Sequence, residues 1–318
     1  MIVFTDSTDL AGLVTGDTPW RQAVSGELSA TGLRRLWDAV YGARVIRQSK
    51  LEAASAWSHL FLVEYASISH YDLLIDLSRQ SDGLPDGLMC LAGSGERFHG
   101  FKGRAWSAPK GNLYLAVHFA PRQQLKHAAT CFTVLAAVSA LDAIDRVPGL
   151  SAAGGIKWVN DLLIDGAKVG GVLAYTQSES QLITNAVLGI GLNVETTPSV
   201  PPTAFVPKVG ALRDVAPEPE SCSLSFVFRT LVRTLSDNYQ ELLAGGYGNL
   251  LDRYRSRSLV IGREVTLCSE NSRSDRDIVA AGRVRALNDD LQLEFEGHDE
   301  PFSKGRLVLD DDYVGDDD

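Results

Sequence analysis

The stretch Lys157-Trp158-Val159-Asn160-Asp161-Leu162-Leu163-Ile164-Asp165-Gly166-Ala167-Lys168-Val169-Gly170-Gly171-Val172-Leu173 decides the fold. Residues 155–159, 162–164 and 168–175 read as short apolar strands. Between the last two, Asp165-Gly166 is a dipeptide that favours the tight turn of a hairpin. Folded in that way, the segment brings a carboxylate (Asp161), an amide (Asn160) and two cations (Lys157 and Lys168) to the rim of one sheet. By spacing alone, such a rim is equally a nucleotide site or the solvated end of a hairpin.

Upstream, residues 93–111 hold five glycines among polar and basic residues, and then give way to Asn112-Leu113-Tyr114-Leu115-Ala116-Val117-His118-Phe119, whose alternation predicts a strand. A glycine-rich loop of this kind can turn backbone N–H groups toward phosphate oxygens. Lys102 and Arg104 would neutralise charge, and Trp106 offers a flat surface for a base. Glycine density alone is served as well by simple loop flexibility, and His99 alone reads as an exposed histidine.

The remaining chain alternates helix and strand. Strands are predicted over residues 59–66 and 87–92, with a short helix over 72–79 between them. A helix over 123–146 follows from the spacing of Leu125, Ala129, Phe132, Leu135, Ala136, Val138, Leu141 and Ile144, with Cys131 as a packing residue. Residues 182–194 read as a strand interrupted by Gly189 and Gly191. Residues 195–222 hold six of the twelve prolines and read as an extended surface excursion. Helices return at 224–243 and 250–258, and short strands at 265–267, 278–287, 291–295 and 307–309 predict a small barrel. Its arginines Arg263, Arg273, Arg276, Arg283 and Arg285 form either a solvated face or a contact for an acidic carrier protein. Residues 1–60 read as short helical pieces, notably one with Leu33, Leu36, Trp37 and Val40 on its apolar face, followed by a strand at 44–48. No chemistry is evident there.

Composition narrows the classes. The 318 residues are 45% hydrophobic, enough for a substantial core, and 30 Lys plus Arg against 40 Asp plus Glu give a formal charge of −10. Six aspartates, at 310, 311, 312, 316, 317 and 318, supply −6 of that, so the acidity is largely a tail. A net negative chain argues against wholesale coating of nucleic acid or anionic membrane. The four cysteines Cys90, Cys131, Cys222 and Cys268 lie far apart with no histidine cluster nearby, which argues against a disulfide framework or a structural zinc. No apolar run is long enough for a membrane span and no signal segment opens the chain, so a soluble cytoplasmic protein is expected.

Together and in this order, the two motif regions resemble the biotin protein ligase branch of the biotin and lipoate ligase superfamily over roughly residues 60–310. Gly103-Arg104-Ala105-Trp106 matches the end of that family's glycine-arginine loop. Lys157-Trp158-Val159-Asn160-Asp161 matches its Lys-Trp-Pro-Asn-Asp motif with Val159 at the proline. Lys168 with Gly170-Gly171, and Gly189-Ile190-Gly191-Leu192-Asn193-Val194, match two later motifs. The resemblance implies an α+β, mixed-sheet catalytic domain at 59–257 and a small SH3-like β-barrel at 258–310. Residues 1–58 would be an amino-terminal extension, and 311–318 the acidic tail.

What the resemblance implies chemically is a two-step ligase. Biotin attacks ATP, with Mg2+ assisting, to give an acyl adenylate and pyrophosphate. A lysine of a biotin carboxyl carrier protein or biotin-accepting carboxylase domain then takes the biotin. Lys168, Asp161 and Lys157 would be catalytic. Gly100, Lys102, Gly103, Arg104, Trp106, Asn160 and Asn193 would hold the nucleotide, and Ser69, His70, Tyr71, Gly95, Gly170 and Gly171 the acid; no metal ligand is assigned. A homodimer fits the resemblance. DNA binding is not expected, because residues 1–60 show no helix-turn-helix with a basic recognition helix. The sequence departs from the family where arginines give way to His99 and Phe101, and a glycine to Phe98. It departs again where the residues that read the polar ring of biotin fall at Ser69-His70-Tyr71 and Gly95. Two alternatives follow from these departures: a ligase for lipoate or another carboxylic acid, or a regulatory protein that binds an acyl adenylate without transferring it.

Overall fold

The computed structural model describes residues 1–14, 19–52, 56–80, 83–272 and 277–309. The acidic tail, Arg273 and Arg276 lie outside the described residues. In chain order the first elements are β1 (Ile2–Thr5), α1 (Thr8–Ala11), β2 (Arg21–Ala23), α2 (Thr31–Tyr41), β3 (Ile46–Lys50), β4 (His59–Val63), α3 (His70–Ser78), β5 (Leu88–Ala92) and β6 (Leu113–Phe119). Then come α4 (Cys131–Ile144), β7 (Gly154–Lys157), β8 (Asp161–Ile164), β9 (Ala167–Glu179), β10 (Leu182–Leu192), α5 (Leu212–Val215), α6 (Leu224–Leu243) and α7 (Tyr247–Ser256). The last strands are β11 (Glu264–Cys268), β12 (Ile278–Leu287), β13 (Leu293–Phe295) and β14 (Arg306–Leu309).

Ten strands form one mixed sheet in the order β2-β3-β1-β4-β5-β6-β10-β9-β8-β7. Among the described strand pairs of this sheet, only β1 with β4 and β4 with β5 run parallel. Successive side chains of a strand point to opposite faces, so a central strand covered on both sides reads as a continuous apolar run. In β4, Leu60 and Leu62 join the core under α4 and α6, while Phe61 and Val63 join the core under α2 and α3. The predominantly antiparallel pattern with helices on both faces is a mixed α+β fold. No helix among the described residues is long and apolar enough to cross a membrane.

Residues 1–50 do not stand apart from this sheet. β1 lies between β3 and β4, and the Tyr41 hydroxyl of α2 donates to the Phe4 carbonyl at 2.8 Å and the Leu62 carbonyl at 3.2 Å. The helix predicted over 123–146 starts eight residues late, at Cys131. Its apolar spacing extends back to Leu125, but His127 adopts a left-handed φ of 53°, which breaks the ladder of hydrogen bonds. The Thr130 and Cys131 N–H groups both donate to the His127 carbonyl, so the reversal itself starts the helix. β10 runs unbroken through Gly189 and Gly191.

Nor is the proline-rich stretch 195–222 only a surface excursion. Its centre returns to the sheet, where the Lys168 N–H donates to the Lys208 carbonyl and the Gly210 N–H to the Lys168 carbonyl. The carboxyl-terminal strands form a separate antiparallel sheet, β13-β12-β11-β14. It is fastened to the large sheet by its 288–291 turn. Trp158 Nε1 donates to the Leu291 carbonyl, the Tyr247 hydroxyl donates to the Asp289 carbonyl, and Arg255 pairs with Asp289. Val260, Leu287 and Leu291 continue the main core into it.

Tyr41→Phe removes the donor shared by two buried carbonyls while keeping the ring between Trp37 and Phe61. The expected cost is about 1 kcal/mol of unfolding free energy, read as a lower urea midpoint at unchanged slope.

Candidate functional site

Pairing across a sheet aligns residues whose side chains share a face. One transverse row of the large sheet runs Lys157, Asp161, Gly171, Gly191, Tyr114, Ala92. Lys157, Asp161, Gly171, Gly191 and Tyr114 line a cleft of about 690 Å³. A regular hairpin would send Lys168 to the other face, because Leu162 pairs with Gly170 and Ile164 would then pair with Lys168. A bulge between Leu162 and Leu163 sets Lys168 opposite Leu163 instead. One extra residue on β9 inverts the alternation and brings Lys168 to the face of Asp161. The Lys168 ammonium lies 2.6 Å from Asp161 Oδ1 and 5.3 Å from the centre of the Trp106 ring.

Glycines clear the floor for two aromatic rings. A side chain on Gly191 would begin 2.8 Å from Trp106 Cζ2, and one on Gly171 would begin 3.4 Å from Trp106 Cζ3. A side chain on Gly189 would begin 3.1 Å from the Tyr71 ring. Trp106 therefore lies flat over paired glycines of β9 and β10. Its Nε1 is buried without a partner.

The other predicted residues divide by position. Asn160 locks the turn to β9, since its Nδ2 donates to the Val172 carbonyl at 2.7 Å and its carbonyl accepts from the Val172 N–H. Lys157 is buried, and its ammonium donates to the Phe205 carbonyl at 2.8 Å. Asn193 is buried with Nδ2 donating to the Gly210 carbonyl at 2.9 Å, while its Oδ1 has no partner. Both asparagines line the cleft, as do Gly100, Lys102, Arg104, Ser69, His70 and Tyr71. Gly103, Gly95 and Gly170 stand outside its lining. Gly170 faces the core, where a side chain would meet Leu192 Cδ2 at 2.6 Å, and Gly95 lies against the Ala66 carbonyl.

The glycine-rich loop folds back on itself, with the Gly100 N–H donating to the Arg104 carbonyl and the Trp106 N–H to the Phe98 carbonyl. Lys102 and Gly103 make the reversal with positive φ of 59° and 71°. His99 ties the loop to α3: Nε2 lies 2.8 Å from Asp72 Oδ2, and Nδ1 lies 2.9 Å from the Gly100 carbonyl. The Gly100 carbonyl and Asp72 raise the His99 pKa above its ordinary value against a smaller effect of burial. His70 behaves in the opposite sense. Burial, with Arg44 adding to it, pushes its pKa down to about 4, so the ring is neutral, and its Nδ1 has no partner.

Sequence reasoning passed over Phe205, Glu270 and Arg306, which all line the cleft, and noted Phe98, which lines it too, only as a departure in the glycine-rich loop. Phe205 comes from the proline-rich stretch, Glu270 from the turn after β11 and Arg306 from β14. No local pattern connects any of them to the hairpin motif. Among the described residues there is no group of three or more His, Cys, Asp or Glu that could hold a metal ion.

Residues 77–193 match the model of the biotin/lipoate A/B protein ligase family. The bifunctional ligase/repressor BirA of Bacillus subtilis is 26% identical over 183 residues, covering 57% of this chain and 55% of its own length. The biotin--[acetyl-CoA-carboxylase] ligase of Mycobacterium tuberculosis is 28% identical over 274 residues, 83% of this chain and 94% of its own. The chain thus spans about half the length of the Bacillus relative. In fold, it is similar to biotin protein ligase from Aquifex aeolicus in complex with biotin and ATP, with a TM-score of 0.58 at 17% identity over 80% of this chain and 99% of that one. The matched segment runs from the end of α3 through β10, and together with these relatives it makes the chain similar to the biotin/lipoate A/B protein ligase family, on its biotin protein ligase branch.

Proposed function

We propose that the protein is an ATP-dependent ligase that joins biotin to a carrier-protein lysine. The observation that carries this reading is the Lys168–Asp161 pair on the cleft face beneath Trp106. In the first step the biotin carboxylate attacks the α-phosphorus of ATP and pyrophosphate leaves. Two anions must approach each other, which requires positive charge at the oxygens between them. Lys168 supplies it, and Asp161 holds the ammonium in place. In the second step the acceptor ε-amine attacks the acyl carbon and AMP leaves. Lys168 again faces the oxygen that gains charge, and Asp161 is placed to orient the incoming amine.

The nucleotide reading draws on one orphaned group and one aromatic face. Asn193 Oδ1 is a buried acceptor with no protein donor, which suits the exocyclic amine of adenine. Trp106 offers an aromatic face beside it, and Arg104 and Lys102 lie where the loop closes over phosphate. Mg2+ fits only as an ion held largely by phosphate oxygens, because Asp161 and Glu270 are the carboxylates lining the cleft. It would draw charge off the phosphates. At the acid end, His70 keeps an unsatisfied polar atom beside Tyr71, which favours a polar ring such as that of biotin over the apolar one of lipoate. We read the carboxyl-terminal sheet as the SH3-like barrel of this family, with the division near residue 258. The acceptor is then a biotin carboxyl carrier protein or a carboxylase domain, met in the cytoplasm.

Purified protein incubated with ATP, Mg2+ and, separately, biotin, lipoate or octanoate should release pyrophosphate fastest with biotin and should label a carrier lysine. Release with none of the acids would refute the ligase reading if none exceeded the acid-free control. Lys168→Ala is expected to lower pyrophosphate release about 100-fold, close to 2.7 kcal/mol of transition-state stabilisation, with the melting temperature unchanged.

The His99–Asp72 tether sets a pH dependence. Because the folded pKa of His99 is raised, the tether contributes fully below the ordinary histidine value and is lost as pH rises through the folded value. In NMR titrations His99 should lose its proton above pH ~6.5, and the amides of residues 100–103 should follow the same curve. Asp72→Asn should move both downward; loop amides that ignore the titration would remove His99 as the tether.

A further inference from the structure

Positive charge is thin in the glycine-rich loop. The positions that resemble family arginines are His99 and Phe101, and His99 is turned to Asp72. Lys102 pairs at 3.3 Å with Glu270 of the turn after β11, and Arg104 Nε donates to the Phe101 carbonyl at 2.9 Å. A second source of charge enters from β14.

Arg306, the first residue of β14, lines the cleft. Its guanidinium carbon lies 3.5 Å from the centre of the Phe205 ring, and Nη1 donates to the Ser272 carbonyl at 2.7 Å. Its Nε is buried with no partner, and no carboxylate of the described residues comes within ion-pairing distance. Phe205 is only 4% exposed, wedged against Cys268 and Val308. Its ring carries Arg306 and its carbonyl accepts the Lys157 ammonium, so one residue positions two cations on the same wall. Burial and the nearby Arg104 lower the Arg306 pKa, and Asp161 opposes them. A guanidinium nevertheless stays protonated in proteins, and its planar fork matches two phosphate oxygens at once.

We propose that Arg306, held in place by Phe205, binds the polyphosphate of ATP and supplies from the small sheet the charge that the glycine-rich loop lacks. The inference rests on the reading of the cleft as an ATP site. Arg306 is a binding residue here; Phe205 acts through it and through Lys157 and is a positioning residue. The small sheet thereby becomes part of the nucleotide site.

Calorimetric titration of the full chain with α,β-methylene-ATP and with adenosine tests this directly. Arg306→Gln is expected to weaken the triphosphate at least ~10-fold and to leave adenosine within about twofold, at unchanged melting temperature. Arg306→Lys should recover part of the loss, because charge returns without the fork. Phe205→Leu should show the same ligand pattern at smaller size. Equal triphosphate binding by wild type and Arg306→Gln overturns the proposal, and so does an equal loss for adenosine. A wild type that binds the triphosphate through Arg306 yet activates no acid refutes the ligase reading and leaves Arg306 assigned. A wild type that binds no triphosphate overturns both.

Discussion

Which way Lys168 points depends on one extra residue in β9. In a regular hairpin it would face the core, beside Gly170 and against Leu162 and Leu192, where a bare ammonium would lose its hydration without a partner. The bulge opposite Leu162 and Leu163 turns it to the face that carries Asp161. The extra backbone does not go unpaired, because the Lys168 N–H and carbonyl bond to Lys208 and Gly210 of the returning proline-rich stretch. The long segment after β10 thus completes the hydrogen bonding of the bulge on which the site depends.

The same face has to admit large rings as well as charge. Side chains standing on neighbouring strands would hold an indole several ångströms above the backbone. Gly171 and Gly191 are paired directly, so their combined gap takes Trp106, and Gly189 leaves a second gap for Tyr71. Interior glycines weaken a strand through lost packing and greater backbone freedom. Here the rings restore the packing, and the Phe98, Trp106 and Ala108 side chains close over Ala66, Ala92 and Tyr114. The glycine motifs and the aromatic at the end of the loop are two halves of one packing arrangement, although 65 residues or more separate Trp106 from Gly171 along the chain.

Legibility in the sequence follows the range of the interaction. The hairpin, its Asp165-Gly166 turn and the strands around it depend on neighbours a few residues away, and alternation and turn chemistry report these directly. The helix expected from residue 123 has the correct apolar face, yet His127 reverses the backbone, and periodicity is blind to a single left-handed residue. Residues 1–50 read as short helical pieces with one strand, whereas β1 is a four-residue strand inside the sheet whose pairing to β3 and β4 is wholly non-local. In the cleft, the predicted residues that line it come from motifs with regular spacing. Gly95, Gly103 and Gly170 belong to the same motifs but face elsewhere, because adjacent residues of a strand or turn point to opposite sides. Phe205 and Arg306 carry no motif at all.

The acidic balance of the chain gains a sharper meaning from the cleft. A charge of −10 would repel a triphosphate if spread evenly, but at ordinary ionic strength charges beyond roughly 8–10 Å are largely screened. What the ligand meets is the local set: Lys168 offset by Asp161, Lys102 offset by Glu270, Lys157 held on the Phe205 carbonyl, and Arg104 and Arg306, which have no carboxylate partner among the described residues. The first two cations are fixed in position by their partners and bring little net charge. The remaining three lie on separate segments, one on β7, one on the glycine-rich loop and one on β14, and two of them are anchored on Phe205. Net attraction for a polyanion therefore draws on the glycine-rich loop and β14 coming together, and the loop meets the small domain through Lys102 and Glu270. Docking of the small sheet is then as much a condition for anion binding as the loop itself.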